Sequence, residues 1–250
     1  MGKNHQMTTH SLLDLTHVDP SWHECLTTAL DKVDKKYLEQ LTHSTEWLPG
    51  PEKIFSAFSL PVNKVNYILF GESPYPRAAS ANGFAFWDQS VQELWSPTGL
   101  SKPVNRATSL RNIIKMLLVA DHALAPDKTG QEAIANLDKT KFVQTNTEFF
   151  QNFLNHGFLL LNATLVLQPT AVRKDAIAWQ PFIKEVLTFL FQKRPHVKLI
   201  LLGSIANIID KLIEHPEIKR LYAEHPYNIS FINNPDVLAF FKPLHLLYKK

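Results

Sequence analysis

The chain has 250 residues, 45% of them hydrophobic and 20% charged, with a formal charge of +3 and one cysteine, Cys25. That apolar fraction suffices for one packed domain, and a lone cysteine excludes an internal disulfide. No apolar run reaches the roughly 20 residues of a membrane-spanning helix and no signal-peptide pattern opens the chain, so a cytoplasmic protein with no membrane partner is expected. The mild positive charge neither demands nor excludes nucleic acid.

Residues 1 to 20 read as a flexible tail and residues 21 to 250 as a single domain. His5, His10, His17 and His23 crowd the start, but their spacing matches no recurrent ligand pattern. A solvated tail is the simpler reading and metal binding the alternative. A β-branched and aliphatic run, Val65 to Gly71, predicts the first strand. Helical spacing follows over Ser109 to Ala120, and the mixed stretch from Ala120 to Thr145 reads as a surface excursion. Phe158 to Asn162 predicts a second strand, Trp179 to Gln192 a helix, Val197 to Gly203 a third strand, Ser204 to Glu214 a helix, and Ile218 to His225 a fourth buried strand. Strands alternating with helices predict an α/β fold, a three-layer α/β/α sandwich around a central four-stranded parallel sheet. Ligands of such sheets bind beyond the carboxyl ends of the strands. Those ends carry Glu72 and Ser73, Asn162, Ser204, and His225.

The loop after the first strand reads Gly71-Glu72-Ser73-Pro74-Tyr75-Pro76-Arg77 and leads to Asn82-Gly83-Phe84-Ala85-Phe86. By itself it is either a site loop or a rigid structural turn with Tyr75 and Phe86 in the core. Its order resembles the signature of family 1 uracil-DNA glycosylases, Gly-Gln-Asp-Pro-Tyr-His followed by a Gly, a small residue and a Phe. Further matches run in family order from Trp22-His23 through Phe55 to Phe58, Ser109 to Asn112, Leu159 to Ala163, Trp179, Leu201 to Ser204 and His225-Pro226.

The resemblance implies a fold and a set of roles. Phe86 would stack on an extruded uracil, Tyr75 would occupy the space of a thymine methyl, and the Asn162 amide would read the base edge. The alternative for Asn162 is a cap at the end of a strand. His225 would donate to the uracil oxygen that gains charge. His215-Pro216 is a competing His-Pro pair, but it precedes the fourth apolar run, whereas His225 closes it. Ile229 falls at the family's wedge position, where an exposed aliphatic unstacks a base step; the alternative is that it is buried. Ser109 and Ser230 would contact phosphate or serve as ordinary helix caps.

The sequence also departs from the family pattern. Ser73 stands where the family has its catalytic Asp, Pro76 replaces the signature His, and Tyr227 replaces a phosphate-binding Ser. Glu72 would take over the attacking water, or else point to solvent or pair with Arg77. The expectation is a metal-free, cofactor-free monomeric glycosylase that removes uracil from single- or double-stranded DNA. The alternatives are a catalytically impaired DNA- or protein-binding module and a glycosylase for another damaged base.

Overall fold

Among the residues described by the computed structural model, Leu12 and 14 to 250, the strands are β1 (Tyr67–Gly71), β2 (Trp95–Ser96), β3 (Gly99–Leu100), β4 (Phe158–Asn162), β5 (Lys198–Leu202) and β6 (Lys219–Ala223). The sheet is parallel, in the order β4-β1-β5-β6, while β2 and β3 form a short antiparallel ribbon. The helices are α1 (His23–Asp31), α2 (Lys35–Thr42), α3 (Lys102–Arg106), α4 (Thr108–Ala120), α5 (Gln131–Ala135), α6 (Asn146–Asn155), α7 (Val172–Ala178), α8 (Gln180–Lys193), α9 (Ile205–Leu212) and α10 (Pro235–Phe241).

The two-residue period of a strand splits its side chains between two cores. Ile68, Phe70, Leu159, Leu161, Leu199 and Leu201 join a core completed by α1, α2, α8 and α9. Leu69, Phe158, Leu160, Ile200 and Leu202 face the other way, into a core completed by α4, α6 and α10. Both faces of the inner strands are therefore covered, which is why their sequences read as unbroken apolar runs. The three layers and the four-stranded parallel sheet are those the sequence predicts.

Three expectations need correction. The fourth strand is not a buried one. β6 lies at a sheet edge, with Leu221 and Ala223 turned into the core and Tyr222 between them 51% exposed, the alternation of a half-covered strand, and it ends at Ala223, two residues short of His225. Nor do the last residues of the predicted tail stand free: Val18 is buried, and the Asp19 N–H donates to Phe58 O at 3.0 Å. The rest of that tail, with His5 and His10, lies outside the described residues apart from Leu12, which is also buried. The stretch from Ala120 to Thr145 is anchored as well as exposed. Ile134 and Phe142 are fully buried, and the Gln131 side chain bonds the Leu100 backbone in both directions, at 2.9 and 3.1 Å. Sparse apolar residues among charges concealed these contacts.

A buried polar cluster ties α2 to α7. Asp175, with no exposed surface, accepts from the Tyr37 hydroxyl at 2.6 Å, from Gln168 Nε2 at 2.8 Å and from the Gln168 N–H at 2.7 Å. Trp179 Nε1 donates to the Tyr37 oxygen at 3.0 Å. Burial is the first cause, and the Asp175 bond the second, that pushes the Tyr37 phenol far above its ordinary range, so it remains a donor. Tyr37→Phe removes a donor from a buried carboxylate and an acceptor from a buried indole. A loss of about 1–3 kcal/mol is expected, measurable as a lower urea midpoint with unchanged slope; an unchanged midpoint would show that the cluster adds nothing to stability.

Candidate active site

Gly71 and Asn162 are register partners at the carboxyl ends of β1 and β4. The ladder continues past them, the Ala163 N–H donating to Gly71 O at 2.9 Å and the Thr164 N–H to Glu72 O at 3.0 Å. The backbone of the loop after β1 is thereby fixed. A Cβ on residue 71 would overlap Asn162 Oδ1 and stand 2.9 Å from Ala85 Cβ, so the amide lies where it does because residue 71 is glycine. Asn162 is 5% exposed and lines a pocket of about 250 Å³. Its amide has no hydrogen-bond partner among the described residues, which sets aside the cap reading and leaves the amide to whatever enters the pocket.

The Ala85 N–H donates to Leu160 O at 3.1 Å, pinning the next loop along the outer edge of β4. Phe86 follows with φ +65°, a region that costs a bulky residue on the order of 1–3 kcal/mol and recurs where a side chain must be aimed. The Tyr75 hydroxyl donates to Phe86 O at 3.1 Å and braces that conformation. Burial, with the nearby Asp88 carboxylate, pushes the Tyr75 phenol well above its ordinary range and keeps the proton on it.

His225 forms the opposite wall, its ring centroid 6.0 Å from that of Phe86. Its Nδ1 lies 3.0 Å from the Tyr227 N–H, a group that can only donate. Nδ1 must therefore be the acceptor and Nε2 must carry the proton, in a neutral ring. Burial lowers the His225 pKa below its ordinary 6.5, against a weaker upward pull from Glu72. Gly203, at φ +81°, gives the ring its place, since a Cβ there would come within 2.9 Å of His225 Cβ.

The structure brings seven of the predicted site residues, Glu72, Ser73, Tyr75, Phe86, Ser109, Asn162 and His225, around this one pocket with Gly71, Pro74, Pro76 and Phe84. Glu72 supplies the one carboxylate among them. It does not pair with Arg77, whose guanidinium goes to Ser80 Oγ at 3.0 Å and Asp88 at 3.8 Å. Ser109 is the second residue of α4 and not its cap; Ala107 holds that position, without a side-chain bond. Ile229 is 77% exposed, which excludes the buried reading. Ser230 Oγ donates to Glu224 at 2.8 Å, and neither it nor Ile229 lines the pocket. Ser204 is exposed beside α9 and His215 pairs with Glu217 at 3.0 Å, both away from the pocket.

No family model matches the sequence. A wild-type UNG from Nitratifractor salsuginis, known from its crystal structure, is 43% identical and superposes with a TM-score of 0.90 over 96% of each chain. The chain belongs to the uracil-DNA glycosylase superfamily. Curated uracil-DNA glycosylases from Acinetobacter baylyi and Azotobacter vinelandii are each 28% identical, over 87% and 88% of this chain and 81% and 87% of their own. A mimivirus uracil-DNA glycosylase shares the fold, with a TM-score of 0.58 at 16% identity over 86% of this chain and 71% of its own.

Two positions of this superfamily member escaped the sequence reading. Asn112, 1% exposed on α4, donates from Nδ2 to Pro226 O at 2.7 Å and anchors the loop that carries His225. Both fall in the segments that match in family order, but no role attaches to either there: the Asn112 bond reaches a carbonyl far along the chain, and the Gly203 contact with His225 spans two strand ends. The close approach at Gly71 is directly testable. Gly71→Ala is expected to cost about 1–3 kcal/mol through overpacking and to swing the Asn162 amide out of the pocket. Urea unfolding reads the first effect and the Asn162 side-chain amide resonance the second; an unmoved resonance would sink the account.

Proposed function

We propose that this glycosylase excises uracil from DNA with Glu72 in the place of the missing aspartate, as a monomer of the family 1 branch with a variant Gly-Glu-Ser-Pro-Tyr-Pro loop. The observation that carries the reading is the unpartnered Asn162 amide, the strained Phe86 ring and the neutral His225 imidazole converging on one pocket. An amide both donates and accepts, so Asn162 pairs with the uracil edge, whereas cytosine reverses that pattern. Phe86 stacks on the base face. Tyr75, held against Phe86 O, fills the space of a 5-methyl group and excludes thymine. Ser109 at the start of α4 suits a phosphate contact, while Ile229 suits the wedge that fills the stack behind the extruded base. Ser230 must leave Glu224 before it can meet phosphate. A buried lone Cys25 is in keeping with a cytoplasmic setting.

The reaction breaks the bond between uracil N1 and the sugar C1′, with both electrons leaving on the base. Negative charge grows on a uracil carbonyl oxygen, and the Nε2–H of His225 donates to it. A neutral donor is supplied without a proton being lost to solvent. Water adds to the cationic C1′ and yields its proton to the Glu72 carboxylate, leaving an abasic sugar and the uracil anion, which takes up a proton from solvent as Glu72 releases its own. Ser73, a neutral hydroxyl, can orient that water but neither stabilises the cation nor accepts the proton near neutral pH.

Release of uracil from a single-stranded oligonucleotide tests the reading, since extrusion costs least there. Glu72→Gln keeps the side chain's size and removes its charge, and a fall in single-turnover rate of about 100-fold or more is expected. A rate within threefold of the parent would remove Glu72 from the mechanism. The pH dependence has a definite sign. Because burial moves the His225 pKa below its ordinary 6.5, the rate should be level at neutral pH and fall along an acid limb whose midpoint lies below 6.5, as the ring gains charge. His225→Asn should abolish that limb and lower the rate by about 100- to 1000-fold; an acid limb that persists in the variant belongs to another group.

A further inference from the structure

Tyr227 stands at the third position of a tight turn that His225 opens. The His225 carbonyl accepts from the Asn228 N–H at 2.9 Å, and Pro226 holds the second position, where its fixed φ favours the turn. The backbone of Tyr227 is gripped from both sides. Its N–H donates to His225 Nδ1 at 3.0 Å, and the buried Asn112 amide that holds Pro226 O at 2.7 Å also reaches Tyr227 O at 3.4 Å. Its ring, by contrast, is 67% exposed and makes no hydrogen bond or ring contact among the described residues. A large aromatic is thus carried, exposed to solvent, on a backbone gripped from both sides, two residues from the pocket wall.

We infer that Tyr227 is a stacking platform for the base next to the extruded nucleotide and that it adapts the enzyme to single-stranded DNA. The inference rests on the pocket being a uracil site. Every base offers a π-face, so an exposed aromatic binds unpaired strands with little regard to sequence. A neighbour in a duplex stays paired and stacked on its far face, and the gap on its near face is the space the Ile229 wedge fills, so the ring gains less there. The rest of the loop offers duplex phosphates little. Glu224 places a carboxylate at its base and engages both Ser230 Oγ, at 2.8 Å, and Asn234 Nδ2, at 2.7 Å. The loop's hydroxyl is therefore committed to an anion, and contact with bases replaces contact with the backbone.

The test uses the full chain and a single-stranded oligonucleotide with one 2′-fluoro-2′-deoxyuridine, whose fluorine disfavours the sugar cation and blocks cleavage. Fluorescence anisotropy gives Kd. Tyr227→Ala should weaken binding by about 5- to 100-fold, Tyr227→Phe by less than twofold, and the alanine effect should vanish when abasic spacers replace the bases flanking the uridine. On the matched duplex the alanine effect should be smaller. Equal losses for Phe and Ala would mean a hydroxyl contact with phosphate, and an alanine effect indifferent to the spacers would mean a change of loop shape; either overturns the platform, as does an equal loss on duplex. Uracil release by the parent chain from a cleavable strand is scored separately, so an inactive pocket and an idle Tyr227 give different results.

Discussion

The site depends first on how closely two strands can end side by side. β1 and β4 are paired residue for residue up to Gly71 and Asn162, and the absence of a side chain at residue 71 is what lets the Asn162 amide fold across the end of β1. The same gap admits Ala85, and with it the loop that aims Phe86. Recognition edge and stacking face are therefore placed by one steric allowance, where β1 and the edge strand β4 end side by side in a parallel sheet. Binding groups held this way need little reordering when a base enters, so less of the interaction is spent on immobilising side chains.

The opposite wall is built on less secure ground. β6 is an edge strand with one buried side chain in its outward alternation, and His225 lies beyond its end. Precision there comes from two hydrogen bonds, Asn112 on the Pro226 carbonyl and the Tyr227 N–H on the imidazole, and from the close packing of Gly203 against His225 Cβ. The bond to Nδ1 sets both the ring's orientation and its tautomer, so a structural contact decides which nitrogen carries the proton. Since α4 also brings Ser109 to the pocket, one helix ties its lining to the loop that carries His225.

The elements legible in sequence are those whose signal is local. Buried strands announce themselves as Tyr67 to Gly71 and Phe158 to Asn162 do, because both faces need apolar residues, and the site loop announces itself because Pro-Tyr-Pro and the spacing to Phe86 survive as a contiguous pattern. β6 misleads because Leu221 and the flanking Ile218 suggest a core run while Lys219 and Tyr222 face water. What stays hidden is pairing at long range. Nothing near Asn112 in sequence foretells a carbonyl 114 residues away, and nothing near Asp175 foretells Tyr37. The positive φ of Phe86 is equally silent, since it arises from bonds made by its neighbours to β4 and Tyr75.

With Ser73 standing where the family signature has aspartate, the proposed mechanism moves the carboxylate's task to Glu72. An aspartate at residue 73 would be held by the rigid turn that Pro74 follows. Glu72 is one residue earlier and one methylene longer, is exposed, and has no ion pair among the described residues to orient it. A carboxylate that must be drawn in when the pocket fills loses part of the advantage of prior positioning, and each 1.36 kcal/mol forfeited is about a tenfold loss of rate. On the proposed mechanism the leaving group is treated differently, since the Tyr227 N–H holds the His225 tautomer before any base arrives. Departure of the base would then rest on a fixed group and attack of water on an exposed one, which would make uracil's ability to leave as an anion matter more than activation of the nucleophile.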